Sequence, residues 1–350
     1  MATLSKLTLF LCITASTVIV DIQRVGALSL SHNDASNGVS SRRDLLIGTT
    51  AAAAAGFGAF GSPEIALAAT GGNDAAPIAV LGASGRTGAL CVASCLRRGL
   101  PVKALTRSGE WPPGGKIDLK SVDFDGEVAG NPLLTISACD VKDAASLASN
   151  LAGCRGVIYA ASASKKGGNS KEIDFDGVVA AGDACLLAKV PRYIVLSSGS
   201  TTRPNSLGFK FTEMAVKGIM TNKRLGELGV SDAFAKSASS SYTIIRPGGL
   251  DEPKQNIIQG PSALEITQGD VLAGFVSRAD VAEVAVEMAL SKASNVQNTA
   301  FELYYQNKVV PVDGKYKKYL GGEEVDRLHG STYEELFKGI KSNFDYIVDA

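Results

Sequence analysis

Between Ala76 and Arg107 the chain reads APIAVLGASGRTGALCVASCLRRGLPVKALTR, and few folds can hold that order of residues. The apolar run Ile78 to Leu81 ends in Gly82-Ala83-Ser84-Gly85-Arg86-Thr87-Gly88. Leu90, Val92, Ala93 and Leu96 follow at helical spacing, Gly99 and Pro101 break the helix, and a second apolar run reaches Arg107. Strand, glycine turn, helix, strand is the first unit of a dinucleotide-binding parallel sheet. Gly82 lets the chain turn sharply off the strand, Gly85 lets the backbone approach a pyrophosphate, and Gly88 lets the helix pack close to the sheet. The free N–H groups and positive dipole end of the helix then face the phosphates. Ser84, Arg86 and Thr87 share this turn, and with the glycines they are candidate cofactor-binding residues. The alternative, a plain structural glycine turn, is disfavoured by the flanking strand and helix.

The totals fit such a sheet. The chain has 350 residues, with 35 basic and 35 acidic side chains, enough for one large α/β domain and too balanced to advertise a nucleic-acid partner. Low aromatic content and 38 glycines suit a parallel α/β fold with tight turns better than an all-β one. Cys12 lies in the leader, and Cys91, Cys95, Cys139, Cys154 and Cys185 lie in the body. An odd count without CxxC spacing argues against a disulfide framework and a zinc site. Cys91 and Cys95, four apart on one helix, could form a metal or redox pair; small buried packing residues are the favoured reading.

Residues 1–75 stand apart from the fold. Residues 1–27 read as a signal peptide: Lys6, a short apolar run, and a small-residue cleavage site at Val25-Gly26-Ala27. Residues 28–68 read as a polar, transit-like spacer followed by a second signal. In it, Ser41-Arg42-Arg43-Asp44-Leu45-Leu46 resembles a twin-arginine motif, and Ala66-Leu67-Ala68 offers a cleavage site. Residues 69–75 are a linker. The series resembles the targeting of thylakoid-lumen proteins in algae with secondary plastids, with the plastid stroma as the alternative destination and a single long leader with a chance Arg pair as the plain reading. Cleavage removes Lys6, Arg24, Arg42 and Arg43 together with Asp21, Asp34, Asp44 and Glu64, so the mature chain stays neutral, without a spanning segment.

The body, residues 76–314, continues the alternation. Ser108 to Pro132 is an irregular insertion holding Trp111, and Leu133 to Ala138 reads as the third strand. Asp140-Val141 after it can contact an adenine or cap the next helix. Gly156 to Ala160 is strand four, and Ala161-Ser162 beyond it are small enough to pass close to the nicotinamide-side ribose. A helix from Ile173 to Ala188 leads to strand five, Tyr193 to Leu196, which ends in Ser197-Ser198-Gly199 at the edge where open sheets place their chemistry. The pattern gives an amphipathic helix from Phe211 to Leu228 carrying Lys223 and Glu227, then a further helix through Phe234. Ser241 to Pro247 is strand six, Leu264 to Thr267 another, Asp280 opens a helix, and Thr299 to Leu303 is the last strand. The tail, residues 315–350, is expected to pack as one or two surface helices.

GASGRTG, the Arg closing strand two, Ser197-Ser198-Gly199 after strand five, the Lys223-Arg224-x-x-Glu227 helix, YTIIRPGGL and VSRADVAEV together resemble the atypical short-chain dehydrogenase/reductase proteins, in their NAD(P)H-binding, NmrA-like branch of plastids and cyanobacteria. The resemblance runs from about Pro77 to Leu303. It implies a Rossmann-type doubly wound parallel sheet with helices on both faces and a small C-terminal extension on the substrate side. Among the cofactor contacts it implies Pro247 at the exit of strand six.

An NAD-specific site places an acid at the end of strand two. Here Thr106-Arg107-Ser108 stand there, so a guanidinium and two hydroxyls can hold a 2′-phosphate, with Arg86 closing on it, which favours NADP(H). Family reductases pair a tyrosine acid with a lysine one helical turn later. Lys223 matches that lysine, and Ser198 the family serine, but the position four before Lys223 is Ile219; Tyr304 to Lys308 is a chance Y-x-x-x-K. Ser198 and Lys223 are therefore the catalytic candidates. The expected function is NADPH-dependent reduction of a small carbonyl or quinone-like substrate. The alternative is an NADP(H)-binding redox sensor or assembly factor without turnover, for which a protein partner is possible. No metal is implied.

Overall fold

The computed structural model describes residues 75–111, 130–165, 167–250, 257–321, 325–344 and 346. The signals of the leader, and most of the insertion after the second strand, lie outside the described residues. The order is β1 (Ile78–Leu81), α1 (Arg86–Arg97), β2 (Val102–Thr106), β3 (Leu134–Ala138), α2 (Ala144–Leu151) and β4 (Gly156–Tyr159). A π-helical turn (Lys171–Asp176) runs into α3 (Gly177–Leu187), then β5 (Arg192–Leu196), α4 (Leu207–Ala215), α5 (Ile219–Phe234), β6 (Ser241–Pro247) and β7 (Gly249–Leu250). The chain continues through β8 (Leu264–Thr267), β9 (Leu272–Ala273), β10 (Phe275–Val276), α6 (Arg278–Leu290), β11 (Thr299–Tyr305), β12 (Val310–Pro311) and α7 (Tyr333–Phe337).

Eight of these strands form one sheet in the order β3-β2-β1-β4-β5-β6-β11-β8. All neighbours pair parallel except β8, which runs antiparallel on β11 with Glu302 opposite Thr267. The order reverses beside β1: Ile78 pairs with Val102 on one side and Gly156 on the other. Open sheets bind ligands at such a switch point, outside the carboxyl ends of the strands. Alternation along the strands sends Ile78, Val80, Ile158, Ile194 and Ile245 under α1 and α6, and Ala79, Leu81, Val157, Tyr193 and Val195 under α2, α3 and α5. Both faces are covered, so the central strands read as near-continuous apolar runs.

Two elements differ from the sequence pattern. The expected helix from Phe211 to Leu228 is broken at its front: α4 ends at Ala215, and Gly218, at φ 77°, turns the chain into α5. Glu213 of α4 then accepts from the Met220 and Thr221 N–H groups and the Thr221 hydroxyl, capping α5 from outside. No second break occurs, and α5 runs on through Phe234. Gly226 and Gly229 are contact points: a Cβ on either would come 2.5 Å from Asp174 O or Val179 Cγ2 respectively, so α5 lies close against the π turn and α3.

The tail is more than surface cover. Gly314–Gly321 is a 3-10 segment, Leu328 bridges to Ile266 beside β8, and Leu336, Phe337 and Ile340 join the core under α6. No helix among the described residues is long and apolar enough to cross a membrane.

Candidate functional site

The turn after β1 is built on backbone. Gly82 and Ala83 donate their N–H groups to Leu105 O at 3.1 and 3.2 Å, which ties the turn to β2. Gly82 has φ 77°, and a Cβ there would lie 2.7 Å from Ala161 Cα, so both conformation and the close passage of the chain leaving β4 require glycine. A Cβ on Gly88 would come 2.2 Å from Gly82 O. Gly85 occupies the N-cap of α1, where no side chain accepts from the first-turn N–H groups and no acid stands in the first turn. By contrast, Asp143, Ser206 and Ser277 side chains cap α2, α4 and α6. An uncapped helix start beside a switch point fits an anionic diphosphate, which accepts from those N–H groups. Around it, Ser84 and Arg86 are exposed and Thr87 is half-buried.

Arg107 is exposed at the tip of β2. The flanking hydroxyls are drawn into a local turn: Thr106 Oγ1 donates to Glu110 O at 3.1 Å and Ser108 Oγ accepts from Glu110 N at 3.3 Å. Of the three groups expected to hold a 2′-phosphate there, the guanidinium is the one left outside that turn. Beyond β3, the helix cap belongs to Asp143, whose Oδ1 accepts from Ala145 N and Ser146 N. Asp140 is half-buried with one oxygen on Lys142 N at 3.0 Å, and Val141 beside it is 9% exposed.

The carboxyl end of β4 holds a side chain the sequence pattern did not single out. Asp174, 1% exposed, accepts from Ser162 Oγ at 2.6 Å and Ala163 N at 2.9 Å, and its Oδ1 lies 2.9 Å from Lys223 Nζ. Asp174, Lys223 and Ser197 line one small hollow with Ala161 and Val178. Ile173-Asp174-Phe175-Asp176 looks like a helix start carrying dipole-favouring acids. The π turn shifts the phase there, directing Asp174 inward while Asp176 pairs with Lys171. Ile219, one turn before Lys223, is buried with Phe209 and Met220.

At the ends of β5 and β6 the two serines divide. Ser197 Oγ donates to Glu227 Oε1 at 2.6 Å, whereas Ser198 Oγ donates to its neighbour's carbonyl, Gly199 O, at 3.1 Å. Gly199 N donates to Pro247 O at 2.8 Å, so Pro247 joins the two exits by its carbonyl. Behind them Arg246, buried, meets Glu227 through Nε at 3.1 Å and Nη2 at 2.8 Å, and Glu302 through Nη1 at 3.2 Å. Burial pushes the Glu227 carboxyl up, but the Arg246 guanidinium outweighs it and holds the group below the usual carboxylate range. Glu302 is pushed up to about 7 by burial and by neighbouring Asp270, against the opposing pull of Arg246.

The tyrosines are engaged elsewhere. Tyr159 and Tyr193 donate to Ile173 O and Val178 O, and Tyr304 Oη lies 2.7 Å from Thr267 Oγ1, which removes the chance Tyr304 pattern from consideration. The described cysteines are all buried and free, and burial pushes the Cys95 thiol up to about 12, which suits packing rather than redox or metal chemistry.

Residues 82–292 match the family model described as NAD(P)H-binding, a span that opens on Gly82 and includes the turn, Arg107, Asp174 and Lys223. The chain belongs to the NAD(P)H-binding family. A chloroplastic pea (Pisum sativum) protein, TIC 62, is 28% identical over 218 residues, covering 60% of this chain and 39% of its own length. An uncharacterised chloroplastic protein of Arabidopsis thaliana is 28% identical over 225 residues, covering 62% and 72%. The chain therefore spans well under half the length of the pea relative. The crystal structure of the oxidoreductase ylbE from Lactococcus lactis, 21% identical, covers 70% of this chain and 97% of its own with a TM-score of 0.51, and shares the fold. In the NAD(P)H-binding family frame, Asp174 and Lys223 stand on the carboxyl side of the sheet, with the glycine turn.

Proposed function

We propose that the chain binds NADP(H) on the Gly82–Gly88 turn and reduces a small carbonyl or quinone-like substrate beside Lys223. The observation that carries the binding is the uncapped, glycine-lined start of α1 at the switch point. Arg107, exposed at the tip of β2 without an acid in that place, supports preference for the phosphorylated cofactor. When bound, NADPH supplies a hydride. The residues then have separate tasks. Lys223 Nζ gives a proton to the substrate oxygen as its carbon gains the hydride, and regains one from solvent. Asp174 holds the ammonium in place, and Ser198 orients the oxygen once its hydroxyl turns from Gly199 O.

A second reading is favoured by one observation: Ile219 replaces the usual acid, and the nearby tyrosine hydroxyls are spent on backbone carbonyls. In that reading the same turn senses NADP(H) or serves assembly without turnover. Stopped-flow oxidation of bound NADPH by a carbonyl and quinone panel separates the two. Oxidation by any acceptor, slowed by Lys223→Met, supports the reductase; tight binding with no oxidation overturns it and leaves the sensor.

The twin-arginine-like signal, and the chloroplastic relatives, support a plastid destination, with the lumen preferred over the stroma. A fluorescent fusion with Arg42 and Arg43 changed to Lys should fail to reach the lumen; unchanged sorting contradicts that destination.

A further inference from the structure

Helix α4 stands in the connection from the carboxyl end of β5 to α5, the helix that carries Lys223, and it has apolar residues on two opposite sides. The inner side is filled: Phe209 is buried with Ile219 and Met220, and Val216 packs beside them. The helix is pinned in that roll. Ser206 Oγ accepts from Phe209 N at 3.2 Å and donates to Arg203 O at 2.8 Å, and Glu213 is tied to the start of α5.

The outer side is apolar as well. Leu207, Phe211 and Met214 recur at the spacing of one helix face and are 69%, 62% and 77% exposed. A lone exposed leucine such as Leu187 calls for no explanation, whereas three large apolar side chains in line on one short helix do. The charges beside this ridge have one sign. From Asn205 to Gly218 the chain holds two lysines and one acid. Lys210, one turn before Met214, and Lys217, just past the helix, are both exposed. The acid is Glu213, already engaged with the Met220 N–H and the Thr221 hydroxyl. The chain as a whole has a formal net charge of zero, so this positive flank is a local feature rather than a consequence of composition.

We infer that the outer face of α4 docks on a lipid surface bearing anionic headgroups. Leu207, Phe211 and Met214 enter the boundary of the acyl chains, while Lys210 and Lys217 stay among the headgroups. An apolar ridge edged by lysines is what an interfacial helix presents to such a surface. At nine residues, α4 lies on the bilayer and is far too short to span it. A second copy of the chain fits the face less well, since three side chains fall far short of the roughly 20–30 residues a side of a standard interface. Because α4 leads from the end of β5 to α5, a chain docked this way keeps the carboxyl edge of its sheet near the lipid. The inference concerns this face alone and stands whether or not the nucleotide proposal does.

The full chain with Trp111→Phe and Phe211→Trp tests it, because Trp111 is the only tryptophan and the variant then carries its single indole on the ridge. It is titrated with vesicles of phosphatidylcholine and phosphatidylglycerol, with and without bromine on the acyl chains. Brominated chains quench an indole that reaches their depth, so contacts made by the leader do not register. The expected result is quenching that saturates with lipid. Lys210→Ala with Lys217→Ala, or vesicles of phosphatidylcholine alone, should weaken it by about tenfold. Leu207→Ser with Met214→Ser should abolish it, and since all four side chains are exposed, the circular dichroism and thermal midpoint should stay those of the parent. Vesicle binding without quenching, no quenching with either vesicle, or quenching indifferent to the lysines would each overturn the inference. Dimerisation in solution that the serine variants abolish would overturn it in favour of a second copy.

Discussion

Gly88 sits under the tightest constraint of the turn. A methyl group there would press on Gly82 O at 2.2 Å, and the helix start could relieve it only by lifting off the sheet. Gly88→Ala should therefore cost about 1–3 kcal/mol of stability, by the usual scale of overpacking, and weaken nucleotide binding with it. Chemical denaturation and calorimetry on the same protein check both; an unchanged midpoint with full affinity contradicts the packing role. The three turn glycines were legible because strand, turn and helix each leave a periodic mark. Asp174 was not, since an acid near a helix start is ordinary and its inward aim depends on a π turn that leaves no periodic mark. By resemblance Ser198 is the marked serine; that Glu227, on another element, reaches Ser197 instead leaves no mark in the sequence.

Helix α5 decides where Lys223 stands, and its entrance depends on Gly218. At φ 77° that residue occupies the left-handed region, with a Cβ meeting Asn222 Nδ2 at 3.0 Å. Gly218→Ala should destabilise by about 1–2 kcal/mol and shift the start of α5, so that Lys223 drifts from Asp174. A thermal scan and a stopped-flow trace of NADPH oxidation are the readouts, and no change in either contradicts the hinge. The amphipathic spacing across Phe211 to Leu228 concealed this break, because α4 and α5 carry apolar residues in similar rhythm. The helix itself, and the lysine on it, were still readable. Its two later glycines look like stops in isolation, yet they serve contact with α3, a matter of three-dimensional fit that spacing cannot express.

On the scale of the whole molecule, the tail reaches back across the sheet. Tyr346 stacks on Arg246, with the guanidinium 4.1 Å from the ring centroid, and donates to Ala300 O at 2.8 Å. The parallel sheet with helices on both faces followed from the sequence; this closure did not, because a charged tail resembles any solvated helix. Arg246 and its carboxylates also give the fold a pH dependence of known sign. Glu302 titrates at about 7 when folded against an ordinary 4.5, so its contribution is fully present below about 4.5 and lost as pH rises through about 7. Glu227, held low, acts in the opposite sense and loses its contribution at more acidic pH. Glu302→Gln should therefore flatten the fall in stability between those two values relative to the parent. Denaturation midpoints across the window read this directly, and parallel profiles contradict it. Calorimetric titration of the full chain with NADPH and NADH tests the proposed cofactor seat most directly, in the parent and in Arg107→Ala. The account predicts tighter binding of NADPH, with the advantage reduced by about tenfold in the variant. Absence of affinity for both nucleotides, or equal affinity that Arg107→Ala leaves equal, would contradict it.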